Sequence, residues 1–430
     1  MVTDVHSCRA ADSGSRPSFF CRILARLIGT GVLALCLAAS AAANEIALTC
    51  DLDPLFDIPA VYALTPEALE AQYPDTANFK ENPRFKWLTQ AKDRAIFQRK
   101  PYSNISVDLS LLKGSVPVEE VIVDFANGKL NGITFSVYNR GDAGPISAEE
   151  FKRRLNACDG ALRQRLAAVP VPRRADPANG LLSSGWTWFC PNGLATLEKN
   201  PEADSGQPEY LKMRLAPRDA SGPIAASIRE HSSSTSLTAL KKNVRTEGGR
   251  TLIQGVPMVD QGPKGYCVVA SAQRLFEYYG ISCDEHQIAK VAGSDAKNGT
   301  NSAKMMKALM SLGSGFHLQF KCLFARYSDG SLRDFKQQKK TSLGDFQKTI
   351  ERSIGDGIPL LWSLDLGKFP EQPALNRQVA GGHGRLIIGF DKDNIYFTDS
   401  WGAGHELGSM SVGNAFDATT GLFVLHPNVQ

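Results

Sequence analysis

The sequence predicts an α+β protein in two parts, and three observations carry that expectation. Residues 251–430 place capped helical stripes first and strand patterns later, the order of an α+β domain with an antiparallel sheet. Residues 45–216 alternate apolar and polar positions around turn residues, which suggests a separate, smaller α+β domain. Between them, 217–250 has linker composition: a Ser-rich run from Ser232 to Ser236, Gly248-Gly249 and mixed charges. With 43% hydrophobic and 21% charged residues, the chain is composed like a globular protein and not a disordered one. A net charge of +4 over 430 residues, with acids and bases interspersed, argues against a dedicated nucleic-acid binder.

The chain opens with an export pattern. Arg9, Arg16, Arg22 and Arg26 form a positive region, followed by the apolar run Leu27–Ala39 of about 13 residues. That run is shorter than the ~20 residues that span a bilayer. Ala41-Ala42-Ala43 supplies a small-residue cleavage site, so 1–43 is expected to be a signal peptide. Leu35, before Cys36, is too large for a lipid-attachment box. No later stretch is apolar enough to span a membrane, so the mature protein is expected to be secreted or periplasmic. Its oligomeric state is left open.

In the first part, Val118–Phe125 reads as a strand, Ala126-Asn127-Gly128 as a turn and Gly132–Tyr138 as the returning strand. Ser147-Ala-Glu-Glu150 is a capping box opening an amphipathic helix to about Ala168. Trp186–Cys190 and Tyr210–Leu215 are further strand candidates. A short helix is expected near Leu237–Val244. No catalytic set assembles in 45–216, which contains no histidine. In the second part, Val268–Tyr279 carries a helical stripe ended by Gly280. Ser282-Cys-Asp-Glu285 caps a second helix, Ser302 a third to Leu312, and Ser342 a fourth to Ile354. Ile358–Leu366 is a buried-type strand, and Arg385–Phe390 with Asn394–Thr398 forms a hairpin around Asp391-Lys-Asp-Asn.

Four residues on these elements fit thiol chemistry. Cys267 falls at a helix start, where unpaired N–H groups and the helix dipole favour a thiolate. Gln261, six residues earlier in Asp260-Gln-Gly-Pro-Lys-Gly-Tyr-Cys267, can join the Cys267 backbone N–H in binding an oxyanion. His383 begins one hairpin strand and Asp399 ends the other, which puts a carboxylate within reach of the imidazole. Each alone has a structural explanation: a packed cysteine, a turn histidine, a turn-capping aspartate. Helix start, strand start and strand end agreeing together favour the site. His405 is the rival imidazole, His286 and His317 lie on core patterns, and His426 is in the tail.

The run Gln261…Cys267, then Gly382-His383, then Asp399-Ser400-Trp401-Gly402, resembles the papain-like cysteine peptidases. Within them it is most similar to the bacteriocin-processing (double-glycine leader) peptidases and their stand-alone relatives. The resemblance covers about 251–427 and implies Cys267 as nucleophile, His383 as general base and acid, Asp399 as orienting residue and Gln261 as oxyanion donor. Trp401 would cover the His–Asp contact. Papain has Asn where this chain has Asp399, and an aromatic residue where it has Val268; both changes favour the leader-peptidase side. The transporter and ATPase fused to leader peptidases are missing, so cleavage after Gly-Gly does not carry over.

A peptide or protein substrate is expected, with no cofactor. An acyl transferase of the transglutaminase type could use the same triad, and an inactive peptide-binding cleft is the third possibility. An oxidising compartment favours disulfides among Cys50, Cys158, Cys190, Cys283 and Cys322, with Cys158–Cys190 and Cys283–Cys322 the preferred pairs. No Cys-x-x-Cys or clustered His/Cys spacing suggests structural zinc.

Overall fold

Alternation of burial marks the strand Glu120–Ala126 of the first sheet. A computed structural model describes residues 46–74, 84–100, 105–179, 181–221, 223–229, 235–262, 266–281, 283–294, 302–326, 341–374 and 381–427. The expected signal peptide lies outside them, as do 263–265 of the loop before Cys267. Glu120–Ala126 buries every second residue and pairs antiparallel with Lys129–Asn139, Val121 facing Phe135 and Val123 facing Ile133. Asn127 (φ 52°) and Gly128 (φ 72°) make the left-handed turn between them. This hairpin sits inside an eight-stranded antiparallel sheet. Its order is Lys86–Trp87, Arg94–Gln98, Glu120–Ala126, Lys129–Asn139, Tyr210–Pro217, Gly193–Lys199, Ser184–Phe189, Val171–Arg173. A small sheet beside it pairs Ile46–Asp51 in parallel with Ile105–Leu111. Helix Ala148–Arg165 is capped by Ser147, whose Oγ accepts the Glu150 N–H at 3.1 Å. Its buried face, including Phe151, Cys158 and Leu162, joins the apolar core of this half.

The second half is built as helices against an antiparallel sheet. The strand order is Val244–Glu247, Arg250–Ile253, Gly381–Phe390, Leu360–Leu366, Thr419–Pro427, Leu318–Ala325. Asn394–Thr398 branches from Gly381–Phe390 and carries Gly408–Ser411. Helices Cys267–Tyr278, Glu285–Ala292, Ser302–Gly315 and Leu343–Gly355 contribute to the core. Within the expected capping segment, the cap of the second helix is Asp284. The Asp284 side chain accepts the Gln287 N–H at 3.1 Å while Gln287 Oε1 accepts the Asp284 N–H at 3.2 Å. Gly248 (φ 57°) and Gly249 (φ 79°), read as linker residues, turn the edge hairpin Val244–Ile253. No helix among the described residues is long and apolar enough to cross a membrane.

Residues 44–430 form one compact unit with two large apolar cores. The seam between the halves is charged. Arg94, from the first sheet, sits 3.1 Å from Asp124 and 2.6 Å from Glu277 of the cysteine helix. Arg214 sits 3.2 Å from Glu198 and 3.0 Å from Asp284 at the start of the second helix.

The expected disulfides are not formed. All six cysteines among the described residues are free thiols. Cys158 packs on the buried face of its helix and Cys190 directly follows the strand Ser184–Phe189, while Cys283 is buried before the second helix and Cys322 lies on an outer strand. Each position is filled by packing instead of a bridge, and burial pushes the Cys50 and Cys158 thiols up to about 12.

Candidate active site

Cys267 is the first residue of its helix, with Tyr266 in the capping position. The helix buries Val269, Ala272, Leu275 and Phe276, which fixes its rotation and turns Cys267 toward a partly exposed position. His383 stands on the strand Gly381–Phe390, and Asp399 directly follows the strand Asn394–Thr398. Leu386 pairs with Thr398 across that hairpin, so the two side chains emerge at the same end. The His383 Nε2–H donates to Asp399 Oδ1 at 2.7 Å. His383 also acts on the Cys267 thiol through hydrogen bonding and charge, and with Nε2 on the carboxylate, Nδ1 is the ring nitrogen left for that thiol. The structure therefore brings Cys267, His383 and Asp399 into one chain of contacts.

Electrostatics follow from that chain. Burial opposes ionisation of Cys267, yet the hydrogen bond and charge of His383, with the Gly384 and Val268 N–H groups, hold its thiol below the ordinary value. Burial would lower His383, but hydrogen bonds to Asp399 and Cys267 raise it to about 9. Burial likewise works against the Asp399 carboxylate, and contact with His383, the Arg385 charge and the Ser400 N–H keep it below the usual range. The three shifts agree in direction: they favour a thiolate, an imidazolium and a carboxylate in a row.

Gln261 is held at both ends of its residue. Its backbone N–H donates to the Ser400 carbonyl at 2.9 Å, and its Oε1 accepts the Ser400 hydroxyl at 2.8 Å. Trp401 stacks on the His383 ring, centroids 4.7 Å apart and planes at 24°. The rival imidazole, His405, meets Trp401 edge-on at 5.3 Å, while its backbone carbonyl accepts the Asp399 N–H at 2.9 Å.

Several residues escaped the sequence reading. Arg274, two turns along from Cys267, is fully buried; its Nη1 donates to the Asp399 carbonyl and its Nε to the Pro257 carbonyl, both at 2.7 Å. Ser271 Oγ donates to the Gly384 carbonyl at 3.1 Å. Gly384 has no room for a side chain: a Cβ there would lie 2.6 Å from Val268 Cγ2. Arg385 is buried between Trp362 and Phe397, 2.7 Å from Glu371 and 3.5 Å from the second oxygen of Asp399. A charged residue inside an otherwise apolar stripe was the available signal for Arg274 and Arg385.

Among the described residues, Glu120, Glu285 and His286 hold potential metal-ligand atoms within 4.8 Å of one another. His286 Nε2 lies 3.3 Å from Glu285 and 3.4 Å from Asp142. Burial would lower this imidazole, but Asp142 and Glu285 raise it to about 10.

Residues 253–417 match the model of the Peptidase_C39 like family, a span that contains Gln261, Cys267, His383 and Asp399. This stretch is similar to the papain-like, C39-type cysteine peptidases. A solved structure from Bacillus anthracis described as C39-like overlaps 42% of this chain and 99% of its own, at 12% identity and a TM-score of 0.30. No curated protein matches the chain.

Proposed function

We propose that the chain is an exported cysteine peptidase that hydrolyses peptide bonds through a thioester on Cys267. The observation that carries this reading is the continuous contact from Cys267 through His383 to Asp399, with the His383–Asp399 bond at 2.7 Å. The similarity of 253–417 to C39-type peptidases supports the substrate class. The Arg-rich, apolar and Ala-Ala-Ala pattern of 1–43 supports export.

In this mechanism the Cys267 sulfur attacks the substrate carbonyl carbon and forms a C–S bond. The oxyanion is bound by the Cys267 backbone N–H and the Gln261 side-chain amide. His383 passes its Nδ1 proton to the amine nitrogen as the C–N bond breaks, and the amine product leaves. Water then attacks the thioester carbon, giving its proton to His383, and the C–S bond breaks to release the acid. Asp399 keeps the imidazole oriented and stabilises its charged form. Trp401 screens the His383–Asp399 bond from water. Acid–base catalysis of this kind contributes about 10²–10⁴-fold.

The test is digestion of a defined peptide library by the full chain, with new termini read by mass spectrometry. Cleavage is expected for the wild type and none for Cys267→Ala, while Gln261→Ala slows it about 10²–10³-fold. Cleavage that survives Cys267→Ala, or equal mild effects of the two substitutions, contradicts the assignment.

A further inference from the structure

We infer that the N-terminal half is a working part of the site: Lys86 is a positioning residue that holds Gln261 in place as oxyanion donor. This rests on the peptidase reading above and deepens it. Lys86 belongs to the outermost strand of the first sheet, Lys86–Trp87. Its Nζ lies 2.6 Å from Oδ2 of Asp260, whose side chain is only 5% exposed. The other oxygen of Asp260, Oδ1, accepts the Gly262 N–H at 2.8 Å. Asp260 thus bridges Lys86 on one side and the peptide beyond Gln261 on the other. Gln261 is bracketed between that bridge and Ser400, which takes both its backbone N–H and its side-chain oxygen.

The same N-terminal turn grips the opposite wall of the site. Leu88 packs with Ile96 and Met258 in a small core of its own, which seats the segment leading to Asp260. The Gln90 N–H donates to Glu406 Oε1 at 2.9 Å, and Glu406 Oε2 accepts the Gly404 N–H at 2.6 Å. Gly404 and Glu406 lie in the loop that also carries Asp399, Trp401 and His405. One short stretch, Lys86 to Gln90, therefore touches both the oxyanion loop and the loop of the orienting carboxylate.

An oxyanion donor accelerates a reaction only when it is held in place before the charge develops, and a misplacement near 1 Å costs about 10²-fold. Without Lys86, the buried Asp260 carboxylate loses a close counter-charge and turns toward water. That movement drags Gly262 and shifts the Gln261 amide. The Cys267–His383 pair is untouched by it, because neither residue contacts Lys86 or Asp260 in the described network.

This separation gives the test. Full-length wild type, Lys86→Met, Lys86→Arg, Gln261→Ala and the Lys86→Met/Gln261→Ala double variant are compared on one peptide that the wild type cleaves. Each is also assayed for alkylation of Cys267 by iodoacetamide, a displacement at carbon that develops no oxyanion. Lys86→Met is expected to lower kcat about 10- to 100-fold with KM nearly unchanged. Its alkylation rate should equal that of the wild type, Lys86→Arg should restore most of the turnover, and the double variant should be no slower than Gln261→Ala. Wild-type turnover in Lys86→Met, a parallel loss of alkylation, or multiplying effects in the double variant would overturn the inference. Normal alkylation of a wild-type protein that cleaves no peptide would instead overturn the peptidase reading, and this inference with it.

Discussion

At the scale of single residues, the buried charges around Asp399 set the terms of the site. Arg385 is fully buried, and its guanidinium faces Glu371 at 2.7 Å and Asp399 at 3.5 Å. Removing one partner of such a group leaves the others charged in a low-dielectric place, which costs about 3–5 kcal/mol. Arg385→Met is therefore expected to lose about that much stability in urea unfolding, and Arg385→Met/Glu371→Gln to regain part of it. Equal stability of Arg385→Met and wild type would show that the guanidinium does not carry this cluster. Cys267, His383 and Asp399 stood out in the sequence because each lies at or beside the end of an element, where turn chemistry marks position, whereas Gln261 lies within a loop. Arg385 did not stand out, because its role depends on Glu371, fourteen residues away and on no common element. Arg274 was hidden for a similar reason: its partners, the Pro257 and Asp399 carbonyls, belong to loops that spacing along one helix does not place.

At the scale of elements, the close approach of the cysteine helix to the histidine strand determines whether thiol and imidazole meet. Gly384 makes that approach possible. A Cβ there would lie 2.6 Å from Val268 Cγ2 and 3.3 Å from Val268 Cα, so the strand must move away from the helix. Gly384→Ala is expected to cost about 1–3 kcal/mol and to lower turnover by lengthening the Cys267–His383 contact. Gly384→Ala/Val268→Ala should recover much of both, since it removes the closest clashing atom; no recovery would place the strain elsewhere. The capped helices and the Asp391 hairpin were readable because caps and turns leave local signals. Strands Arg94–Gln98 and Gly193–Lys199 were not, since every residue of both is buried and no alternation survives. The Val244–Ile253 hairpin passed for a linker because its edge position leaves it mostly exposed and polar.

At the scale of the whole molecule, the seam between the halves couples stability to pH. His286 is buried there between Glu285 and Asp142, and its pKa is raised from an ordinary value near 6.5 to about 10. A raised histidine contributes stability that is complete below the unfolded pKa and is lost as pH rises through the folded one. Stability is thus expected to decline between pH ~6.5 and ~10. His286→Gln should flatten part of that decline, while His383 continues to titrate in the same direction through about 9. A variant that keeps the full wild-type slope would remove His286 from the account. Composition and linker spacing pointed to two separate domains, whereas residues 44–430 form one compact unit with two large apolar cores; the charged seam between those cores was not legible, because Arg94, Glu277, Arg214 and Asp284 lie far apart in sequence.

In the proposed peptidase, residues brought together from helix, strand and loop make Cys267 an ion-paired, reactive thiol. The pH dependence of its alkylation by iodoacetamide, read at the Cys267 peptide by mass spectrometry, tests this most directly. In the wild type the rate should stay high well below the ordinary thiol pKa of about 8.5, and His383→Ala should return it to that ordinary titration. A wild-type profile that rises only near 8.5, and is unchanged by His383→Ala, would contradict the account.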